Sequence, residues 1–236
     1  MYLIKKIFKK IAVFFDFLKF KKLDSDKRFA LQRKDFYFQI GDKTAATGFD
    51  RHYIYHTAWA SRKIKETNPS FHIDIASSLY FCALVSAFVP IKFYDYRTPD
   101  LQLPNLEIYK GDLMNLPFSD NEIKSLSCMH VVEHIGLGRY GDPIDPSGDL
   151  KAIKELKRVL AKDGNLFFVT PLGKPKIQFN AHRIYSLRMI KEYFSDFKLQ
   201  ELILIPERKG PMILNPAEEQ INLETYGCGC FWFLKK

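Results

Sequence analysis

Beyond residue 70 the chain alternates short apolar runs with stretches whose apolar positions recur every three or four residues. The apolar runs predict strands at Phe71–Ala76, Ile91–Tyr96, Leu106–Tyr109, Ser125–Val132, Asn165–Thr170, Leu199–Ile205 and Cys230–Leu234. Helices are predicted at Leu79–Phe88, Leu150–Leu160 and Ser186–Phe194. A more polar helix leads in from Phe49 and is stopped by Asn68-Pro69, because the residue before a proline disfavours the helical region. Strand and helix in alternation imply an α/β fold, a three-layer αβα sandwich around a mostly parallel sheet of seven strands. In such sheets ligands sit at the carboxyl edge, where strand order reverses. The search for function therefore narrows to the segments after Ile75, Tyr94, Tyr109, Val132 and Val169.

The first 48 residues follow another pattern. Ile4, Phe8, Ile11, Phe15 and Leu18 repeat at helical spacing between lysines, so residues 1–48 read as a basic, amphipathic extension and 49–236 as the domain. The formal net charge is +9, and Lys5, Lys6, Lys9, Lys10, Lys19, Lys21 and Lys22 supply much of it against Asp16 alone. An anionic membrane surface, engaged through residues 1–22, is the electrostatic partner this predicts, against the simpler reading of a helix packed on the domain. Charge interrupts the segment too often for it to span a bilayer, and no small-residue cleavage site follows it. The body carries no interleaved basic and aromatic stripe, so no nucleic acid is expected. Cys82, Cys128, Cys228 and Cys230 show neither a disulfide framework nor paired metal spacing, which points to structural thiols in a cytoplasmic protein, peripheral at the inner membrane if the helix engages lipid.

A nucleoside cofactor needs a close turn for its polar tail, an acid for the ribose hydroxyls and an edge for adenine. Asp74-Ile75-Ala76-Ser77-Ser78 occupies the first position, Asp95 with Tyr96 the second, and Asp112 with Leu113 the third. Met129 and His130 close the list of cofactor-side residues. Each aspartate also has a plainer reading, as a helix cap, a strand end or an Asx turn. For proton removal, His134 and His182 are the candidates, because the unperturbed pKa of imidazole lies close to working pH, and Glu133 stands ready to orient one of them. Asp142 and Asp145 lie in a loop rich in glycine and proline, where they serve either a sugar's hydroxyls or the turns themselves.

The stretch Ile123–His134, followed by Glu155–Leu166 with its Arg158-Val159-Leu160 and Gly164 turn, resembles the second half of class I S-adenosylmethionine-dependent methyltransferases. Asn180–Ser186 is similar to the histidine-arginine-aromatic segment that opens the next helix in those enzymes. More narrowly, Glu133–Pro146 resembles a methyltransferase-like domain-of-unknown-function family met in bacterial surface-polysaccharide gene clusters. The resemblance extends from Phe49 to Phe233. It implies a Rossmann-like class I methyltransferase fold, S-adenosylmethionine as cofactor, and O-methylation of a small-molecule or glycan acceptor. The chain departs from the class in its first loop, where no glycine occurs and alanine and serine do not reach positive φ as glycine does. A non-catalytic scaffold in glycan assembly is the alternative that this departure raises. Another follows from His130-x-x-Glu133-His134, which stands where some relatives bind a divalent ion, and would make the protein a metal-assisted RNA 2′-O-methyltransferase. Against a metal at these three residues stands the reading in which His130 lines the cofactor and His134 bonds backbone.

Overall fold

In a computed structural model that describes residues 2–236, the chain divides into two compact units, Met1–Phe49 and Asp50–Lys236. Met1, the first residue of the expected extension, lies outside the described residues. The first unit is built on α1 (Tyr2–Leu23). Within it Phe36 packs on Phe17 with ring centroids 4.6 Å apart and on Phe14 at 6.3 Å, Lys10 lies over Phe38, and Lys43 pairs with Asp16. Much of the helix's apolar face stays exposed, including Ile4, Phe8 and Phe15.

The second unit opens with α2 (Arg51–Thr67), whose start is capped by the Asp50 carboxylate accepting from the Tyr53 amide at 3.1 Å. Asn68 ends it in the left-handed conformation before Pro69. There follow β1 (His72–Ile75), α3 (Leu79–Val85), β2 (Ile91–Asp95), β3 (Leu106–Lys110), β4 (Ile123–Met129), α4 (Gly148–Val159) and β5 (Leu160–Leu172). The chain then adds β6 (Lys176–Gln178), β7 (His182–Ile184), α5 (Leu187–Tyr193), β8 (Phe197–Ile205), β9 (Ile213–Leu214), α6 (Glu218–Asn222) and β10 (Gly227–Lys235). The main sheet runs β3-β2-β1-β4-β5-β10-β8-β9. Strands β1 to β5 pair in parallel, and β10 runs antiparallel between β5 and β8. Order reverses between β1 and β4.

Side-chain alternation divides the core into two layers. On one face Leu126, Cys128, Leu166 and Phe168 pack against Ala152, Ile153, Leu156 and Val159 of α4 and Ile190 of α5. On the other, Met129, Phe167, Val169, Cys228 and Cys230 meet Trp59, Ala60 and Ile64 of α2 and Phe81, Cys82 and Val85 of α3. The α/β, three-layer arrangement is the one the pattern predicts. The sheet has eight strands rather than seven, because the two-residue β9 adds to the edge of β8, too short to leave a period-two signature. Strand β4 stops at Met129 instead of Val132, since His130 turns to φ +56 and a 3-10 turn takes over at Val132–His134. His182–Ile184 forms the short strand β7, paired with β6, and α5 starts only after it.

Strands β1 and β4 are also joined through buried side chains. His72 Nδ1 lies 2.8 Å from Ser125 Oγ and its Nε2 2.8 Å from Ser127 Oγ, while Ser127 Oγ donates to the Asp74 carboxylate. Since the Ser127 proton goes to Asp74, His72 Nε2–H donates to Ser127 Oγ and its Nδ1 accepts from Ser125 Oγ–H. The ring is thus neutral. Burial holds His72 down to about 3, from 6.5, and pushes Asp74 up to about 6, opposed by hydrogen bonds from Ser127 and Ser77. The two act oppositely on stability. A depressed histidine contributes stability that is complete above 6.5 and is lost as pH falls toward 3, whereas the raised carboxyl contributes most below 3.8 and loses that contribution as pH rises through 6. Unfolding free energies of the wild type and His72→Asn, measured from pH 4 upward, are expected to diverge with rising pH by up to about 1.4 kcal/mol per unit until the curves run parallel above the ordinary histidine range. A pH-independent difference would show that His72 titrates alike in both states.

Candidate functional site

At the carboxyl edge, where β1 and β4 part, the chain forms a cleft of about 370 Å³. Its floor and one wall come from Ile75–Ser77 after β1, Asp95–Arg97 after β2 and Gly111–Met114 after β3. The opposite wall comes from Tyr53 of α2, His130, Val131, His134 and Ile135 after β4, and Tyr140, Asp142 and Pro143 of the following loop. These are four of the five carboxyl-end segments that the strand pattern singles out, with the addition of α2; the segment after Val169 does not reach the wall.

The turn after β1 achieves without glycine the conformation that glycine ordinarily supplies. Ala76 sits at φ +52 and its amide donates to the Tyr94 carbonyl at 2.8 Å, which fixes the turn against β2. An L-residue here costs about 1–2 kcal/mol, and the expectation that alanine does not reach positive φ is therefore corrected. Asp74 is wholly buried beneath the turn, with Oδ1 accepting from the Ser77 amide at 3.0 Å, and does not line the cleft. Ser77 does line it, and its Oγ accepts from the Met129 amide at 3.0 Å. Ser78 precedes α3 at its N-cap, and the Met129 side chain packs in the α2/α3 core, so neither belongs to the wall.

Asp95 accepts from the Arg97 amide at 2.7 Å through Oδ1, and Asp112 accepts from the Met114 amide at 2.9 Å through its Oδ1. Both are Asx turns, and both line the cleft, together with Tyr96 and Leu113. The plain and the functional readings are compatible, because each carboxylate shapes its loop through Oδ1 while its residue lines the cleft.

The three candidates for proton transfer separate. His134 Nδ1 donates to the Ala181 carbonyl at 2.6 Å, which leaves the lone pair on Nε2 and the ring on the cleft wall. Glu133 is fully buried, does not line the cleft, and accepts from His130 Nδ1 at 2.8 Å, with His134 Nε2 farther away at 3.9 Å. It orients His130 rather than His134. His182 also lies off the cleft wall. Its Nε2 donates to Gln178 at 2.7 Å, its ring packs on Tyr226 at 4.7 Å, and burial lowers its pKa. The hairpin of β6 and β7 holds it beside His134, at 6.3 Å between ring centroids.

Asp142 and Asp145 belong to the loop's own backbone. Asp142 accepts from the amides of Gly136 at 2.7 Å, Tyr140 at 3.2 Å and Gly138 at 3.3 Å, and Asp145 from Ser147 at 2.9 Å and Lys151 at 2.6 Å. Gly136 is required at φ +79, since a Cβ there would meet the Asp145 carbonyl at 2.0 Å.

Several residues were not foreseen as part of the site. Tyr53 lines the wall with its hydroxyl pushed up to about 12, mainly by burial and next by the Glu133 charge. Arg97 lies over the Tyr140 ring at 4.4 Å and Arg139 over the same ring at 5.1 Å. Arg183, buried behind the loop, donates to the Ile135 carbonyl at 2.7 Å and to Pro146 at 3.3 Å, and stands 3.6 Å from Asp149. Asp149 also accepts from Tyr185 at 2.9 Å. The signal for Tyr53 was present in Phe49–Ala60, a helix dense in histidine and tyrosine, but nothing local tells which sheet edge that helix faces.

With this geometry established, comparison with known proteins adds the following. Residues 119–201 match a family model described as a Caenorhabditis protein of unknown function, DUF268. No curated protein matches the chain. Among solved structures, the chain resembles YcgJ of Bacillus subtilis at TM-score 0.52 and 18% identity over 77% of this chain and 99% of that one. It also resembles a putative sarcosine dimethylglycine methyltransferase from Galdieria sulphuraria at TM-score 0.55 and 12% identity, over 78% and 86% of the two chains. A third is the Burkholderia thailandensis 1,6-didemethyltoxoflavin-N1-methyltransferase, solved with 1,6-didemethyltoxoflavin and S-adenosylhomocysteine, at TM-score 0.52 and 9% identity over 77% and 79%. The fold is the Rossmann-like fold of class I methyltransferases.

The loop's anchor is directly testable. Arg183→Met removes the buried cation from Asp149 and from three backbone carbonyls, of Glu133, Ile135 and Pro146, so unfolding free energy should fall by roughly 3–5 kcal/mol. Limited proteolysis should then cut between residues 136 and 149 before the rest of the chain; unchanged cleavage would show that Arg183 does not hold the loop.

Proposed function

We propose that this protein is an S-adenosylmethionine-dependent methyltransferase acting on a hydroxyl of a small molecule or glycan. The observation that carries the reading is the cleft at the reversal of strand order, with the Ala76 turn, Asp95 and Asp112 on one side and His134 on the other. The cofactor's chemistry is an electrophilic methyl group on a sulfonium. The residues present fit such a group: Ala76 and Ser77 are small enough for backbone approach, Asp95 has an oxygen for ribose hydroxyls, and Asp112 with the Leu113 amide offers an edge for adenine. His134 Nε2 takes the acceptor's hydroxyl proton, and the Ala181 carbonyl holds the ring in the tautomer that allows this. Glycan acceptors in surface-polysaccharide synthesis are the class suggested by the Glu133–Pro146 resemblance. No nucleic-acid acceptor is proposed, for lack of a basic and aromatic stripe.

Calorimetry with S-adenosylmethionine should show one site. Asp95→Ala should weaken it roughly 10- to 100-fold while the fold is kept, because a charge-assisted hydrogen bond is worth about 1.5–3 kcal/mol. A folded protein that ignores millimolar cofactor would instead be the non-catalytic scaffold. His134→Gln should retain cofactor binding and lower turnover by roughly a hundredfold or more.

The first unit fits an anionic membrane surface at the cytoplasmic side. No helix among the described residues is long and apolar enough to cross a membrane. Yet α1 exposes Ile4, Phe8, Ile11 and Phe15 among lysines, and each lysine near an anionic surface adds about 1 kcal/mol. In cosedimentation with vesicles of equal phosphatidylglycerol and phosphatidylcholine, the full chain should pellet at low salt and less at high salt, and a chain lacking residues 2–24 should stay in solution. Equal pelleting of both would remove the membrane role.

A further inference from the structure

We infer that His52, His130 and Cys228 form a binding site for a Zn²⁺-class transition-metal ion beside the cleft. The three residues come from α2, the end of β4 and the start of β10, and each offers a donor atom within 4.8 Å of the other two. All are buried, with His52 at 9% exposure, His130 at 8% and Cys228 at none. The imidazole planes of His52 and His130 are stacked within 5° at 5.5 Å, and Cys228 carries a free thiol.

His130 supplies the independent sign of a ligand. Its Nδ1–H is engaged by buried Glu133, while Nε2 is buried and has no hydrogen-bond partner. That is the carboxylate–histidine arrangement that presents a metal-ligating nitrogen: the acid fixes the tautomer, raises basicity and turns the lone pair outward on the far side. A buried nitrogen with a free lone pair is unfavourable unless something accepts or donates to it. Next to it His56 has both ring nitrogens buried and unpartnered, its ring 5.1 Å from that of His130. A histidine pair in place of carboxylates, with a thiolate as third donor, suits zinc or cobalt and disfavours magnesium and calcium, which require oxygen. Binding converts the Cys228 thiol to a thiolate, so one proton leaves for each ion bound. Three protein donors leave a fourth position open, as in zinc sites that handle substrate. This set differs from His130, Glu133 and His134: Glu133 here supports a ligand, and His134 Nδ1 is committed to the Ala181 carbonyl.

The test uses the full chain stripped with chelator and titrated with zinc chloride alone. One equivalent should bind, with a raised melting temperature. Cys228→Ser and His130→Gln should each weaken binding at least a hundredfold, and Glu133→Gln about 10- to 100-fold with the ligands still present. His134→Gln should leave zinc affinity within a factor of about three. Loss of binding in His134→Gln with retention in Cys228→Ser would overturn the assignment, as would wild-type protein that takes up no zinc. Because a core variant can fail to fold, wild-type protein loaded with cobalt(II) gives a second measure. A thiolate-to-cobalt charge-transfer band in the near ultraviolet supports Cys228 as a ligand; a cobalt spectrum without it overturns the site.

Discussion

Everything at the sheet edge depends on how β1 is locked to β4. These strands flank the reversal of order, and the segments that leave them form both sides of the cleft. Their pairing is short, with Ile73 opposite Leu126 and Asp74 opposite Ser127. The chain of Ser125, His72, Ser127 and Asp74 adds a second, side-chain ladder within that interface. With the His72 ring neutral, every donor in the chain finds an acceptor. A buried polar chain of this kind is favourable only when complete, and replacing one member leaves the others desolvated and unpaired. The same Asp74 that ends this chain accepts from the Ser77 amide, so the interior network reaches the turn after β1 directly.

Periodicity was sufficient for the layers and for most strands, because a buried apolar run between helices has few other ways to satisfy its backbone. It was insufficient wherever the backbone leaves the regular regions. His130 at positive φ ends β4 early although Val131 and Val132 continue the apolar run, and composition cannot report that turn. The hairpin of β6 and β7 was invisible since three-residue strands hold no period. Ala76 shows the converse: a turn rule based on glycine predicts difficulty, and the surrounding strands simply impose the conformation on alanine.

The site itself was half legible. Asp95, Asp112 and the residues after β1 are reached by counting strands, because each follows a strand end in the direction the topology dictates. Glu133 and His182 carry the right chemistry at the right sequence distance but face inward or sideways, which depends on one rotation of a 3-10 turn and on the hairpin. His52, Tyr53 and Cys228 could not be associated from sequence, since α2 and β10 lie at opposite ends of the domain and meet His130 only once the sheet is assembled. Convergence of that kind belongs to topology.

The pair of Arg97 and Tyr140 makes the cleft's rim continuous between the loop after β2 and the loop after β4. A cation over an aromatic ring at an exposed position is worth about 0.5–1 kcal/mol, one to two times thermal energy. The loop that carries Tyr140 is otherwise held by Arg183 and Asp142. Parting Arg97 from Tyr140 therefore asks only for a side-chain rotation, an event of picoseconds to nanoseconds at an exposed position, and leaves the loop's buried anchors in place.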